Sequence, residues 1–143
     1  MWGVNHAIAV RAILAPMHTI SGKVIKGLGY GRKIGFPTIN LDRREYRRLN
    51  LRIREGIYAG TAHIQKTGRR FKAAIIVAQR DRRGLPKIEA YLLGFTGVLY
   101  GKKVELSFMK YVRHFMSFRS ESALKTQILK DIARVDKIIH LTD

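Results

Sequence analysis

The sequence contains no cysteine. Disulfides, thiolate zinc sites and cysteine nucleophiles are thereby excluded, and nothing calls for an oxidising compartment. Proline is scarce, with three residues in 143, which argues against a disordered chain. Long apolar runs are missing too: no segment approaches the roughly 20 apolar residues of a membrane-spanning helix. Residues 7–14 are apolar but are interrupted by Arg11 and follow no basic stretch, so they do not read as a secretory signal. The expectation is a cytoplasmic protein without membrane insertion. Acidic residues are also few: ten Asp and Glu face 28 Lys and Arg, for a net charge of +18. Such a surplus attracts nucleotides, nucleic acid or anionic membrane without choosing among them.

What is present fits one domain, with 46% apolar residues available for a core. Residues 6–14 have the texture of a short helix. From Thr19 the pattern turns to strand. The runs 19–27, 57–65, 70–78, 87–95 and 103–112 are rich in β-branched and aromatic residues and end at Gly, Lys or Arg. Lys66–Gly68 reads as a hairpin turn and 96–101 (TGVLYG) as another. Short strands at this spacing suggest an antiparallel barrel or sandwich. The period then changes. Leu124, Ile128, Ile132, Val135 and Ile139 recur every three or four residues, which predicts an amphipathic helix docked on the sheet, with Ser120 or Ser122 as its N-cap. The densely basic stretch 42–55 reads as a solvated loop or short surface helix, or alternatively as a patch for an anionic partner.

The stretch GLGYGRKIGFPTIN (27–40) carries the most chemical information. Glycines 27, 29, 31 and 35 permit positive φ and close approach of backbone N–H groups to an anion, with Arg32 and Lys33 adding charge. A plain mobile turn has the same composition. No GK[ST] closes it and no helical βαβ context surrounds it, which excludes a P-loop and a dinucleotide fingerprint. In an extended segment Thr38 and Asn40 project to one side and offer two hard oxygens suited to Mg²⁺ once nucleotide phosphates supply the charge. A Pro-initiated strand with two polar edge residues is the plainer alternative. Glu89, inside an otherwise apolar strand, is equally readable as an ordinary surface glutamate.

Residues 21–41 (SGKVIKGLGYGRKIGFPTINL) closely resemble the signature of the riboflavin kinase family, whose domain also forms the C-terminal half of bifunctional FAD synthetases. The likeness continues through EGIYAG (55–60), KIEAYLLGF (87–95), LYGKKVELSFMKYVR (99–113) and SFRSESALKTQILKDIARV (117–135), in the family's order. The resemblance implies a mainly β fold: a six-stranded antiparallel Greek-key barrel with a C-terminal amphipathic helix over 19–143. Residues 1–18 are similar to the linker that precedes the kinase half of the bifunctional enzymes. The resemblance also implies transfer of the ATP γ-phosphate to riboflavin with Mg²⁺; without an adenylyltransferase half in the sequence, the expected product is FMN and not FAD, and the expected state is a monomer. Carried over by position, Glu89 is the catalytic base, and Gly27, Lys33, Leu92, Gly94 and Tyr100 contact ATP. Thr38 and Asn40 hold the metal, and Arg113 and Phe118 contact the flavin.

The pattern departs from the family at 77–89 (VAQRDRRGLPKIE), where a Gly-rich, Pro-Thr-containing turn is usual and adenine contacts are expected. It departs again at 114–118 (HFMSF), where Met116 replaces residues that include a cation, and at Gly94, where an acid is usual. Two other functions stay in view. One is a basic nucleic-acid-binding barrel, for which Tyr46 would be the exposed stacking aromatic among the arginines. The other is a flavin binder without catalysis. The five histidines share no ligand spacing.

Overall fold

The computed structural model describes residues 15–141, so the helix expected over 6–14 lies outside the described residues. Six strands close into a barrel: β1 (His18–Ile25), β2 (Ile39–Leu41), β3 (Gly56–Ile64), β4 (Arg70–Arg80), β5 (Pro86–Leu92) and β6 (Lys103–Arg113). Their order around the barrel is β1-β2-β5-β4-β3-β6, and every neighbouring pair is antiparallel. Strands β3, β4 and β5 follow one another as hairpins, and β6 then returns to lie beside β3. That is the Greek-key arrangement.

The alternating pattern of the strands explains the closure. On β5 the burial pattern switches at every residue, so Ile88, Ala90 and Leu92 point into the barrel. Ile20, Leu41, Ile75 and Phe108 meet them there, each at most 2% exposed. A side chain at Gly60 would collide with the Ser107 carbonyl on β6, so only glycine lets these two strands approach.

Two expectations need correction. TGVLYG (96–101) is not a hairpin turn, because β5 pairs with β2 and β4 while β6 pairs with β1 and β3. The segment crosses the barrel, and turn-forming residues say only that the chain bends, not which strands pair. The other concerns Tyr46. The basic stretch contains a short helix, α2 (Arg44–Arg48), following the short helix α1 (Tyr30–Lys33). Tyr46 is 2% exposed, and its hydroxyl accepts a hydrogen bond from the Ile53 N–H at 3.0 Å. On a helix Tyr46 points away from Arg44, Arg47 and Arg48, so the arginines stay in water and the ring fills the core. It offers no stacking face.

The C-terminal helix α3 spans Glu121–Ile138. Ser120 is its N-cap, its Oγ accepting from the Ala123 N–H at 3.1 Å. The apolar stripe is split. Val135 and Ile139 pack in a second cluster with Ile57, Ala59 and Val112 on the outside of the barrel. Leu124, Ile128 and Ile132 instead face a cavity. Lys72 donates to the Asp136 backbone oxygen and carboxylate at 2.9 Å, tying the helix end to β4. No helix among the described residues is long and apolar enough to cross a membrane.

Candidate active site

The outward face of β5 carries Lys87, Glu89 and Tyr91, because the inward positions are taken by the core. These side chains enter a cavity of about 440 Å³ between the barrel and α3. Ile57, Ala74 and Ile76 form its barrel wall, and Leu124, Ile128 and Ile132 its helical wall. The loop after β6 adds Phe115, Met116 and Phe118, and the segment after β1 adds Leu28, Tyr30 and Phe36. Leu28 and Tyr30 are 87% and 55% exposed, so this side of the cavity is open to water.

The antiparallel register sets Asn40 of β2 directly opposite Glu89 of β5. Thr38, two residues earlier, falls on the same side, and its Oγ1 donates to Glu89 Oε1 at 3.0 Å. Lys87 Nζ lies 3.8 Å from the same oxygen. Asn40 is buried, and its Oδ1 has no hydrogen-bond partner. A buried carbonyl oxygen without a donor is costly, on the order of 1–3 kcal/mol, unless something else meets it. Gly27 covers this residue: a Cβ there would overlap the Asn40 amide. An orphaned carbonyl beside a hydroxyl and a carboxylate is a donor set that fits a hard cation such as Mg²⁺. Among the described residues no group of three or more His, Cys, Asp or Glu side chains forms an all-protein metal cage. A metal here would complete its shell with oxygens from water or a bound ligand.

A second cavity of about 380 Å³ adjoins the first, and Thr38 lines both. Inward residues Val24, Ala90 and Leu92 form its floor, and Phe95, Leu99 and Tyr100 of the crossing segment form its side. Arg32 of α1 reaches it as well.

Of the residues singled out from the sequence, Thr38, Asn40, Glu89 and Gly27 therefore meet at one point. Leu92 and Tyr100 line the second cavity, and Arg113 and Phe118 line the first. Lys33 and Gly94 line neither. Lys33 is exposed on α1, and Gly94 is exposed in the turn after β5 with φ 78°. Of the departing stretch 77–89, residues 77–86 line neither cavity, while Lys87 and Glu89 at its end line the first.

Sequence reasoning missed Lys87 and Asp131, whereas Arg32, read from the sequence as added charge for an anion, does line the second cavity. Lys87 was available from the period of two, which puts it on the Glu89 face. Asp131 was not, because only the docking of α3 reveals its role. Arg113 donates to Asp131 through Nε at 2.9 Å and Nη2 at 2.7 Å, with the two side chains 14% and 7% exposed. Gln127, one helical turn earlier, donates to Asp131 at 3.0 Å. A buried charge held by three donors fixes α3 against the end of β6 and so sets the width of the first cavity.

Comparison with known proteins points one way. The riboflavin kinase family model matches residues 14–139. The bifunctional riboflavin kinase/FMN adenylyltransferase of Buchnera aphidicola subsp. Schizaphis graminum is 31% identical, over 96% of this chain and 44% of its own length. A protein of Bacillus subtilis named RNA-binding riboflavin kinase RibR is 34% identical, over 87% of this chain and 53% of its own. The chain thus spans about half the length of the curated relatives it matches. Among solved structures, riboflavin kinase from Trypanosoma brucei has a similar fold, with a TM-score of 0.61 at 20% identity over 84% of this chain and 75% of that one.

Proposed function

The chain belongs to the riboflavin kinase family, and from that premise we propose that it transfers the γ-phosphate of ATP to the 5′-hydroxyl of riboflavin. The observation that carries the reading is the Thr38–Glu89 hydrogen bond at the junction of two cavities. One cavity is apolar and flanked by Phe118, Met116 and Ile128, which suits a flat aromatic ring system. The other carries Arg32 and Tyr100, which suits a nucleotide. Both volumes are those of small-molecule sites. A substrate spanning them would bring its reacting atoms past Glu89.

In this reading the isoalloxazine ring lies between the barrel and α3, and the ribityl chain runs toward Glu89. Glu89 accepts the proton of the 5′-hydroxyl as that oxygen attacks the γ-phosphorus. The new O–P bond forms while the bond from the γ-phosphorus to the β–γ bridging oxygen breaks, and ADP leaves. Thr38 holds the Glu89 carboxylate in place before the substrate arrives. Arg32, and Lys33 from the exposed end of α1, offer positive charge to the triphosphate. The Asn40 oxygen and the Thr38 hydroxyl would hold Mg²⁺, which when bound neutralises phosphate charge. Arg113, locked to Asp131, keeps its fork at the edge of the flavin cavity.

The test is incubation of the purified chain with riboflavin and MgATP, followed by chromatography. FMN should appear together with ADP in equal amounts. No FMN across varied divalent metals and nucleotides would overturn the reading. A flavin binder without catalysis would hold riboflavin and turn nothing over.

A further inference from the structure

Away from Glu89, a third cavity of about 350 Å³ lies between α2, the segment that follows it, and the β4–β5 turn. Arg47, Arg52, Arg80 and Arg83 line it, and all four are exposed. Among the described residues, none of these four, nor the adjacent Arg82, has a carboxylate within ion-pair distance. The nearby acids are already engaged. Asp81 is 2.7 Å from Arg43, Glu45 is 2.7 Å from Arg48, and Asp42 is 3.5 Å from Arg44. The hydrogen bond from Arg43 holds the Asp81 carboxyl below the usual carboxylate range, and that from Arg48 does the same for Glu45. Five guanidinium groups are left with no local charge to offset them.

Their chemistry narrows the partner. A concave wall of one sign focuses the field toward an anion. Residues 42–54 and 80–84 contain arginine and no lysine. The planar guanidinium fork matches two phosphate oxygens at once, which an ammonium does not. An anionic membrane would also want apolar residues to insert, and across these two segments Leu49, at 41%, is the single exposed large apolar residue. Unpaired bases would want an aromatic face, and Tyr46 is buried. What remains is recognition of phosphates without contact to bases.

We propose that this arginine cleft binds the phosphodiester backbone of a nucleic-acid duplex, at a site separate from the two cavities beside Glu89.

Fluorescence anisotropy of the full chain with short labelled RNA and DNA duplexes, across a salt series, tests this. Binding to a duplex should weaken steeply with salt. Arg47→Gln/Arg83→Gln should lower the slope of log affinity against log salt by roughly two, at about 0.9 per phosphate contact. Arg52→Gln/Arg80→Gln is a second, independent pair with the same expected effect. Lys130→Gln/Lys137→Gln removes equal charge from the outer face of α3 and should leave the slope nearly unchanged. An equal loss in all three variants would overturn the proposal in favour of net charge alone. Single-stranded RNA binding as tightly as duplex would overturn it as well. So would cleft-dependent binding to phosphatidylserine vesicles or inorganic triphosphate without any to duplex. The measurement needs neither riboflavin nor ATP, so its failure and a failure of the kinase reading are distinguishable.

Discussion

The two faces of β5 do different work with the same seven residues. Inward, Ile88, Ala90 and Leu92 are 1%, 1% and 4% exposed and hold the barrel together. Outward, Lys87, Glu89 and Tyr91 touch a cavity, and Tyr91 also packs against the second cluster outside the barrel. The period of two separates Glu89 from the core residues on either side of it, although Ala90 and Leu92 also floor the second cavity. Substitutions one residue apart should therefore fail in different ways. The helix α3 repeats the division lengthwise: Leu124 to Ile132 line the cavity, and Val135 near its end packs on the barrel.

The sharpest contrast is between Glu89 and Ile88. Glu89→Gln should lower the FMN-forming rate by about 10²- to 10⁴-fold, the range of a general base, with riboflavin binding and the melting temperature nearly unchanged. Wild-type activity would remove Glu89 from the proton transfer. Ile88→Ala should do the reverse. It should cost about 2–5 kcal/mol of stability in a denaturant titration, because the closed barrel cannot collapse onto the space left behind. The surviving folded fraction should bind riboflavin normally. Thr38→Val comes next. It keeps the shape but deletes both the bond to Glu89 and one oxygen offered to the metal. It should raise the Mg²⁺ concentration needed for half-maximal rate about tenfold, the equivalent of roughly 1.4 kcal/mol. An unchanged magnesium dependence would confine Thr38 to holding Glu89. The smallest effect tests α3. Ile128→Ala should raise the dissociation constant for riboflavin severalfold, as expected for loss of about 1 kcal/mol of apolar contact, while shifting the unfolding midpoint little. A large fall in stability would place Ile128 with Val135 in the core instead.

Much of this was readable in advance, and the reasons differ by residue. The strands expected over 57–65 and 103–112, and found at Gly56–Ile64 and Lys103–Arg113, follow from runs of β-branched and aromatic residues, a local signal. Meeting of Thr38, Asn40 and Glu89 was not local. The residues lie some fifty positions apart, and family resemblance brought them together before register did. Where each strand goes was unreadable from local composition, because the turn residues at 96–101 are indifferent to whether the chain doubles back or crosses over; the Greek-key order came from the family resemblance. Tyr46 misled for a similar reason. A ring surrounded by arginines looks exposed until a single helical turn sends it the other way. The Arg113–Asp131 pair joins a strand end to a helix across 18 positions, and no pattern of hydrophobicity encodes such a partnership.

Strand β2 is three residues long and is held by two register pairs on each side. Every other stave of the barrel is at least seven residues long. The seam that is easiest to unzip is therefore the one that carries Asn40. Local opening at this seam needs few hydrogen bonds broken and can occur without unfolding the rest. Any ligand that bridges Asn40 and Glu89 would stitch the seam shut, so occupancy of the site would be felt as closure of the whole barrel.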